Sequence, residues 1–246
     1  ADEGVRIPGF ARALAQRALG MIEVARARDW SEAGGLAVLG AELAGDLVVR
    51  DAAGKSRRIG FIADRADLAD GVLRLTDYKT GTPIATVTGE GTKRSRLIAA
   101  VSEGRALQSV AYVAAAQALG VAQAEGRLLY LREDLDDRSR DFVARHDDAE
   151  LTAAFEATVR TAFAALDTGT LFPRLVLADK DEEPPACDWC EVAAACLRGD
   201  SSQRARLREG AASEAARRDT ASEADRVLFA VFAFGREIET REEDAT

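Results

Sequence analysis

The sequence predicts an α/β domain in which helices pack on a small central mixed sheet. Two observations predict this class. Three runs with strand-like apolar patterns follow one another between residues 40 and 79, and segments with apolar side chains at helical spacing lie on either side of them. Hydrophobic residues make up 47% of the 246 residues, which is enough to bury a core between the sheet and the helices.

The strands are predicted from apolar runs that end at turn residues. They are expected over 40–50, 59–68, 72–79 and 127–132. The first three follow one another through Asp51-Ala-Ala-Gly54 and Ala69-Asp70-Gly71, and Asp-Gly between apolar runs is a strong hairpin signal.

The helices are predicted from apolar side chains that recur every three or four residues. They are expected over 8–29, 106–119 and 149–166, and Gly120 ends the second of them. Residues 82–104 are expected to form a loop with a basic segment.

Three parts of the chain are expected. Residues 1–39 form an N-terminal helical segment, 40–185 form the core, and 186–246 hold three cysteines and a charged helical tail, in which 227–234 is apolar enough to dock. No signal peptide and no apolar run of about 18 residues is present, so a cytoplasmic protein without a membrane partner is expected. The chain lacks an initiator Met, which suggests a fragment or a processed chain.

The charge pattern bears on nucleic-acid binding. The net charge of −9 argues against such a partner, because phosphate binding usually requires a basic surface. A net charge is a global sum, however, and four basic residues lie close together, which are candidate DNA-binding residues: Lys93, Arg94, Arg96 and Arg105. The single histidine excludes a zinc site with several histidines.

Polar residues end two neighbouring predicted strands. In the strand 72–79, Asp77 and Lys79 share a face with apolar Leu73 and Leu75. Charges on a buried face are costly unless they are paired or bind a metal. A tight hairpin brings Asp64 of the preceding strand close to Asp77, and two adjacent carboxylates favour a divalent cation such as Mg²⁺.

These residues resemble a known family. The run Gly60-Phe-Ile-Ala-Asp64-Arg-Ala-Asp67, followed by Asp77-Tyr-Lys79-Thr-Gly81, resembles the core of the RecB-type PD-(D/E)XK nucleases. Gln108 and Tyr112 match the family's Q-x-x-x-Y helix motif, and their spacing puts both on one helical face. The resemblance implies a restriction-endonuclease-like core.

The resemblance also implies a Mg²⁺- or Mn²⁺-dependent DNA nuclease. Asp64, Asp77 and the carbonyl of Tyr78 would bind the metal, with Glu42 as a further carboxylate. Lys79 would orient or deprotonate the attacking water and stabilise charge on the phosphorane. Gln108 and Tyr112 would position Lys79 or the phosphate backbone. Likeness to AddB-type iron–sulfur subunits indicates an exonuclease module that works with a helicase in double-strand-break repair.

The cysteine group resembles that of the iron–sulfur subset of the family. Cys187, Cys190 and Cys196 are three ligands, whereas a [4Fe–4S] cluster requires four. The family's fourth cysteine and a metal-site histidine lie upstream of the core, and this chain has neither. A fragment whose missing part completes the cluster explains this; an outside ligand, zinc or an empty pocket are the alternatives.

Two functions from different classes remain open. One is an active nuclease, and the other is a non-catalytic nuclease-like module that binds DNA or scaffolds a partner. The presence of Asp64, Asp77 and Lys79 favours the first, and the missing histidine and fourth cysteine keep the second open.

Overall fold

The computed structural model describes residues 9–30, 36–51, 53–170, 190–191, 202, 205–206, 209 and 222–232. The five strands of this part are β1 Leu36–Arg50, β2 Ser56–Ala69, β3 Val72–Lys79, β4 Ala124–Tyr130 and β5 Asp141–Arg145. The helices of this part whose bounds are described are α1 Phe10–Asp29, α2 Glu90–Ser102, α3 Leu107–Ala118, α4 Ala149–Thr168 and α5 Glu223–Phe232. A 3-10 turn spans Asp137–Ser139.

The five strands form one mixed sheet in the order β1-β2-β3-β4-β5. Neighbouring strands are antiparallel except β3 and β4, which are parallel. Parallel neighbours need a crossover connection, and here α2 and α3 provide it. The mixed sheet with flanking helices confirms the predicted α/β class and is consistent with a restriction-endonuclease-like fold.

The chain divides into two compact units. The first comprises residues 1–50 and 55–156 and includes the five described strands, and the second comprises 51–54 and 157–246 and includes α5. The predicted division at 39/40 and 185/186 remains a prediction. The apolar segment expected at 227–234 is helical through Phe232, and its last two residues lie outside the described ones.

Two elements differ from the sequence-based expectation. The segment 82–104, expected to be a loop, contains α2, whose Leu97, Ala100 and Val101 are buried at helical spacing. The basic residues that precede them in α2, Lys93, Arg94 and Arg96, hid that pattern. Strand β5 was not predicted at all, because only Phe142 and Ala144 alternate as buried residues over its short length.

Helix α3 packs very closely on β4. A Cβ added at Gly126 would come within 1.8 Å of the Ser109 carbonyl oxygen, so only glycine permits this approach. Below the helix, Tyr112 packs with Ala63, Ala66 and Leu75 of β2 and β3. This contact holds one face of α3 against the ends of the two strands.

Within the described residues, no helix has both the length and the apolar character that crossing a membrane requires.

Candidate functional site

The ladder between β2 and β3 ends just before the two predicted metal carboxylates. Its last pair is Arg65 with Thr76, and the same register puts Asp64 opposite Asp77. At this point the backbone N–H of Tyr78 donates a hydrogen bond to Oδ2 of Asp64 at 2.6 Å. The Asp64 carboxylate thus binds the backbone of β3 where strand pairing stops, which brings the two acidic residues to one end of the hairpin.

Asp77 has an anionic oxygen without a hydrogen bond. Its side chain is 11% exposed, and Nζ of Lys79 lies 2.7 Å from its Oδ2. That oxygen is nevertheless buried with no partner in hydrogen-bond geometry, whereas Oδ1 accepts from the Tyr112 hydroxyl at 3.4 Å. A buried charged oxygen that lacks a hydrogen bond is costly, and a cation bound there would relieve that cost. Carboxylate oxygens are the donors that divalent cations such as Mg²⁺ take, and in this structure the cation beside Oδ2 is the Lys79 ammonium.

Helix α3 supplies two side chains to the same region. The Tyr112 hydroxyl lies 3.0 Å from the Ile62 carbonyl oxygen, and its ring packs 5.0 Å from that of Phe61. Burial, together with the charges of Asp77 and Asp64, raises the pKa of the Tyr112 hydroxyl. Oε1 of Gln108 accepts a 3.4 Å hydrogen bond from Lys79 Nζ. The structure thus brings Gln108 and Tyr112 to the two residues that end β3.

Glu42, the further predicted carboxylate, lies on the outer strand of the sheet. Its neighbours Ala41 and Leu43 pair with Arg65 and Ala63, so Glu42 stands across from Asp64. Its side chain is exposed and its φ is +51°, so the local strand alternation is broken there. Among the described residues, no three His, Cys, Asp or Glu side chains come together as a metal-binding group.

The opposite face of the same strands carries a buried charge cluster around Asp29. This last residue of α1 accepts hydrogen bonds from the Tyr78 hydroxyl at 2.5 Å and from Nη1 of Arg65 at 3.2 Å, both on Oδ2. Its Oδ1 accepts from Arg127 of β4. Burial and the hydrogen bond to Asp29 raise the pKa of Tyr78 to about 12. Asp29 was missed from the sequence.

A weak sequence signal for Asp29 does exist. A carboxylate in the last turn of a helix is disfavoured by the helix dipole, so an Asp at this position indicates a specific partner. Arg65 and Asp67 belong to the same cluster: Nε of Arg65 donates to Oδ1 of Asp67 at 2.8 Å, and both side chains are buried.

The four predicted DNA-binding residues do not form one basic surface. Lys93 is buried, and its Nζ lies 2.9 Å from both Glu90 and Asp141, so it is neutralised and hidden from solvent. Arg94 makes two 2.7 Å hydrogen bonds to Asp148 and one to Glu150. Arg105 is half exposed and pairs with Glu103. Arg96 is exposed.

The cysteine group lies mostly outside the described residues. Cys190 is exposed and not in a disulfide. Cys187 and Cys196 are among the residues that the structure does not describe.

Comparison with known proteins gives a family match. A sequence model of the PD-(D/E)XK nuclease superfamily matches residues 1–197. No curated protein sequence matches the chain. Among solved structures, the chain is similar to one titled "Crystal structure of SSO0001", with 14% sequence identity over 73% of this chain and 67% of that chain and a TM-score of 0.34.

Proposed function

The chain belongs to the PD-(D/E)XK nuclease superfamily, and on this premise we propose that it is a Mg²⁺- or Mn²⁺-dependent deoxyribonuclease whose site is formed by Asp64, Asp77 and Lys79. The observation that carries the proposal is the buried Oδ2 of Asp77, which has no hydrogen bond and lies on the same hairpin end as a second carboxylate. A carboxylate oxygen of this kind suits a divalent cation such as Mg²⁺, which prefers oxygen ligands.

Asp64, Asp77 and the carbonyl of Tyr78 would hold the metal, and Glu42 is a further candidate ligand from β1. A bound divalent cation polarises a phosphoryl oxygen and lowers the pKa of a water molecule. The remaining chemistry falls to the side chains of this chain.

Lys79 would stabilise the negative charge that develops on the phosphate. Its ammonium group contacts both the metal carboxylate Asp77 and the Gln108 amide, so it is held at the site by two elements. A cation fixed in this way costs no reorganisation during the reaction. Lys79 would also orient the attacking water, and Gln108 would hold Lys79 in place.

Tyr112 would keep Asp77 in position. Its hydroxyl lies within hydrogen-bond reach of both the Ile62 carbonyl and Oδ1 of Asp77, and its ring is buried in the core of the hairpin. The contact engages Oδ1, so Oδ2 of Asp77, which faces the Lys79 ammonium, is the oxygen that would be offered to a metal.

DNA is the proposed substrate. Among the four basic residues, the exposure of Arg96 and Arg105 suits contact with phosphate, whereas Lys93 is buried and paired and Arg94 is held by two carboxylates. Phosphate binding by a chain of net charge −9 is expected to be local and to weaken strongly with salt.

The biological context is proposed from the sequence motifs. The likeness to AddB-type subunits supports an exonuclease module that works with a helicase in double-strand-break repair. Cys187, Cys190 and Cys196 support an iron–sulfur cluster completed by a ligand outside this chain, with zinc as the alternative. The cluster would be structural, since it would fix the C-terminal segment.

A second candidate function is a non-catalytic nuclease-like module that binds DNA or scaffolds a partner. One observation favours it: within the described part of the chain, the site has two carboxylates and no third acidic, histidine or cysteine side chain joins them. A site with so few protein ligands holds metal weakly unless substrate phosphate completes the coordination.

The test is cleavage of end-labelled single- and double-stranded DNA by the purified protein with Mg²⁺, Mn²⁺ or a chelator. Cleavage is expected with either metal and none with the chelator. Asp77→Ala is expected to abolish it, whereas Asp46→Ala removes an exposed acid that pairs with Arg58 and is expected to cleave like the parent.

Each of two results would contradict the proposal. Cleavage by Asp77→Ala at the parent's rate would show that this is not the active site. Metal-independent DNA binding without cleavage would favour the non-catalytic module.

A further inference from the structure

We infer that Asp29 is a positioning residue for the metal site: its carboxylate fixes the Tyr78 side chain and, through it, the backbone that holds Asp64. The inference rests on the proposed function, because it assigns Asp29 a role in that same site. Asp29 itself faces away from the site and would touch neither metal nor DNA.

One buried carboxylate connects three neighbouring strands. The Asp29 side chain is 1% exposed and contacts Arg65 of β2, Tyr78 of β3 and Arg127 of β4. Arg127 also donates to the Thr76 hydroxyl at 3.1 Å, which ties β4 to β3 beside the site. The strand positions around the site are therefore fixed by a shared partner at the end of α1.

The cluster and the site use alternate residues of the same strands. Arg65 follows Asp64, while Thr76 and Tyr78 flank Asp77. Side chains of successive strand residues point to opposite faces, so the two sets share one backbone without sharing side-chain contacts. A displacement of Tyr78 toward or away from Asp29 must move the backbone between Asp77 and Lys79.

Tyr78 is the point at which this coupling acts. On the β4 side the strand is held by the parallel ladder, in which Tyr78 lies opposite Leu129 and the carbonyl of the next residue, Lys79, accepts from the Leu131 N–H. On the β2 side the ladder has ended, and the Tyr78 N–H binds the Asp64 carboxylate. The hydroxyl bond to Asp29 anchors the same residue from the opposite face. Without this bond, the Tyr78 backbone loses a restraint. Its N–H orients Asp64, and its carbonyl is the proposed metal ligand.

The ion cluster is a specific rather than a strong source of stability. Burying a carboxylate with two guanidinium groups costs desolvation free energy that their attraction only partly offsets. Apolar side chains in the same place would therefore stabilise the fold equally well. Apolar side chains, however, would give Tyr78 no directional hydrogen bond. The geometry assigns the cluster to orientation of β3.

The experiment is Mn²⁺ binding without DNA, measured from the electron paramagnetic resonance signal of free Mn²⁺ in titrations of the parent and three variants. Tyr78→Phe removes the hydroxyl and leaves Asp29 with both arginines. Asp29→Asn removes the charge. Asp141→Asn is the matched control. Asp141 lies on β5, and the change removes its half-buried carboxylate, which pairs with Lys93 and Arg28. Thermal unfolding is measured for each variant, and the titrations are made well below every midpoint.

Tyr78→Phe and Asp29→Asn are each expected to weaken Mn²⁺ binding about tenfold, the usual effect of removing a hydrogen bond that orients a ligand. Asp141→Asn is expected to lower the unfolding temperature and leave the Mn²⁺ affinity within about twofold. Tyr78→Phe with the parent's Mn²⁺ affinity would overturn the inference and leave the metal-site proposal intact. No Mn²⁺ binding by the parent would overturn both. Equal weakening in Asp141→Asn would also overturn the inference, because the effect would then be one of general stability.

Discussion

The backbone N–H of Tyr78 donates a hydrogen bond to the Asp64 carboxylate at 2.6 Å, just beyond the last pair of the β2–β3 ladder. A side chain here takes the place of a backbone carbonyl. The carboxylate therefore satisfies a strand N–H, and in the proposed site it would have a second task, because its other oxygen would bind the cation. Substitutions that separate these tasks give the first prediction.

Asp64→Asn is expected to retain the fold and lose metal binding. The amide oxygen still accepts from the Tyr78 N–H, but the negative charge that attracts a cation is gone. Asp64→Ala removes both, and an unpaired, partly buried N–H costs about 1–3 kcal/mol. Urea unfolding and Mn²⁺ titration of the two variants check this. An unfolding free energy that is equally reduced in both would contradict the division of tasks.

Lys79→Met is expected to separate catalysis from metal binding. The change keeps the length of the side chain and removes the ammonium group that lies 2.7 Å from Asp77. Loss of one preorganised charge-stabilising group reduces turnover about 100-fold or more. Mn²⁺ affinity is expected to stay the same or increase, because a competing cation has left Asp77. A Mn²⁺ affinity that falls together with cleavage would show that Lys79 organises the carboxylates instead.

Gly126→Ala is expected to displace α3. The new methyl group would meet backbone at the Ser109 carbonyl, which cannot rotate away as a side chain can. Overpacking of this kind costs about 1–3 kcal/mol, and cleavage should fall because Gln108 and Tyr112 move with the helix. Gly91→Ala is the control, since its Cβ would meet nothing within 4 Å. Equal unfolding temperatures for the two variants would contradict the close packing.

Lys93→Met is expected to lower stability, whereas Arg96→Ala is expected to weaken DNA binding. Lys93 is buried between Glu90 and Asp141, so its loss leaves a half-buried carboxylate less well paired and lowers stability. Arg96 is exposed, so its loss is expected to weaken DNA binding and to reduce the salt slope by about one. Urea unfolding measures the loss of stability in Lys93→Met, and fluorescence anisotropy with labelled DNA at several salt concentrations measures DNA binding by both variants. Unchanged binding by Arg96→Ala would remove that residue from the DNA contact.

Stability is expected to fall in acid partly through Asp148. Its hydrogen bonds with Arg94, helped by the N–H of Leu151 at 3.0 Å, hold its pKa below the ordinary value. A carboxyl with a lowered pKa in the folded state contributes stability above its unfolded pKa, and that contribution disappears as the pH falls through the folded value. Urea unfolding from pH 7 to pH 3 should therefore show a smaller loss for Asp148→Asn, which keeps a cap oxygen but cannot titrate.

The sequence predicted four strands of the sheet and the helices α1, α3 and α4, but not α2 or β5. The alternation in β3 and the two turns predicted the strands β1 to β3, because both signals are local. Lys93 was predicted to face DNA and is buried instead, since the acid that holds it, Asp141, lies on a strand too short to recognise. Asp29 was missed for a related reason. Its partners Tyr78 and Arg127 are distant in sequence. Their contacts with Asp29 form only when the chain folds, so no local sequence pattern predicts them.

The alternation of β3 also limits how this protein can change over time. Residues 76 and 78 point to the Asp29 cluster, while 77 and 79 point to the proposed site. A deletion of one residue in this strand would turn each set to the opposite face of the sheet. Asp77 and Lys79 would then enter the Asp29 cluster, and the proposed site would lose both charges. Point substitutions can tune either face separately, but insertions and deletions between the hairpin turn and Lys79 damage both at once. Lineages of this domain are therefore expected to vary in length at the turns and not within β3.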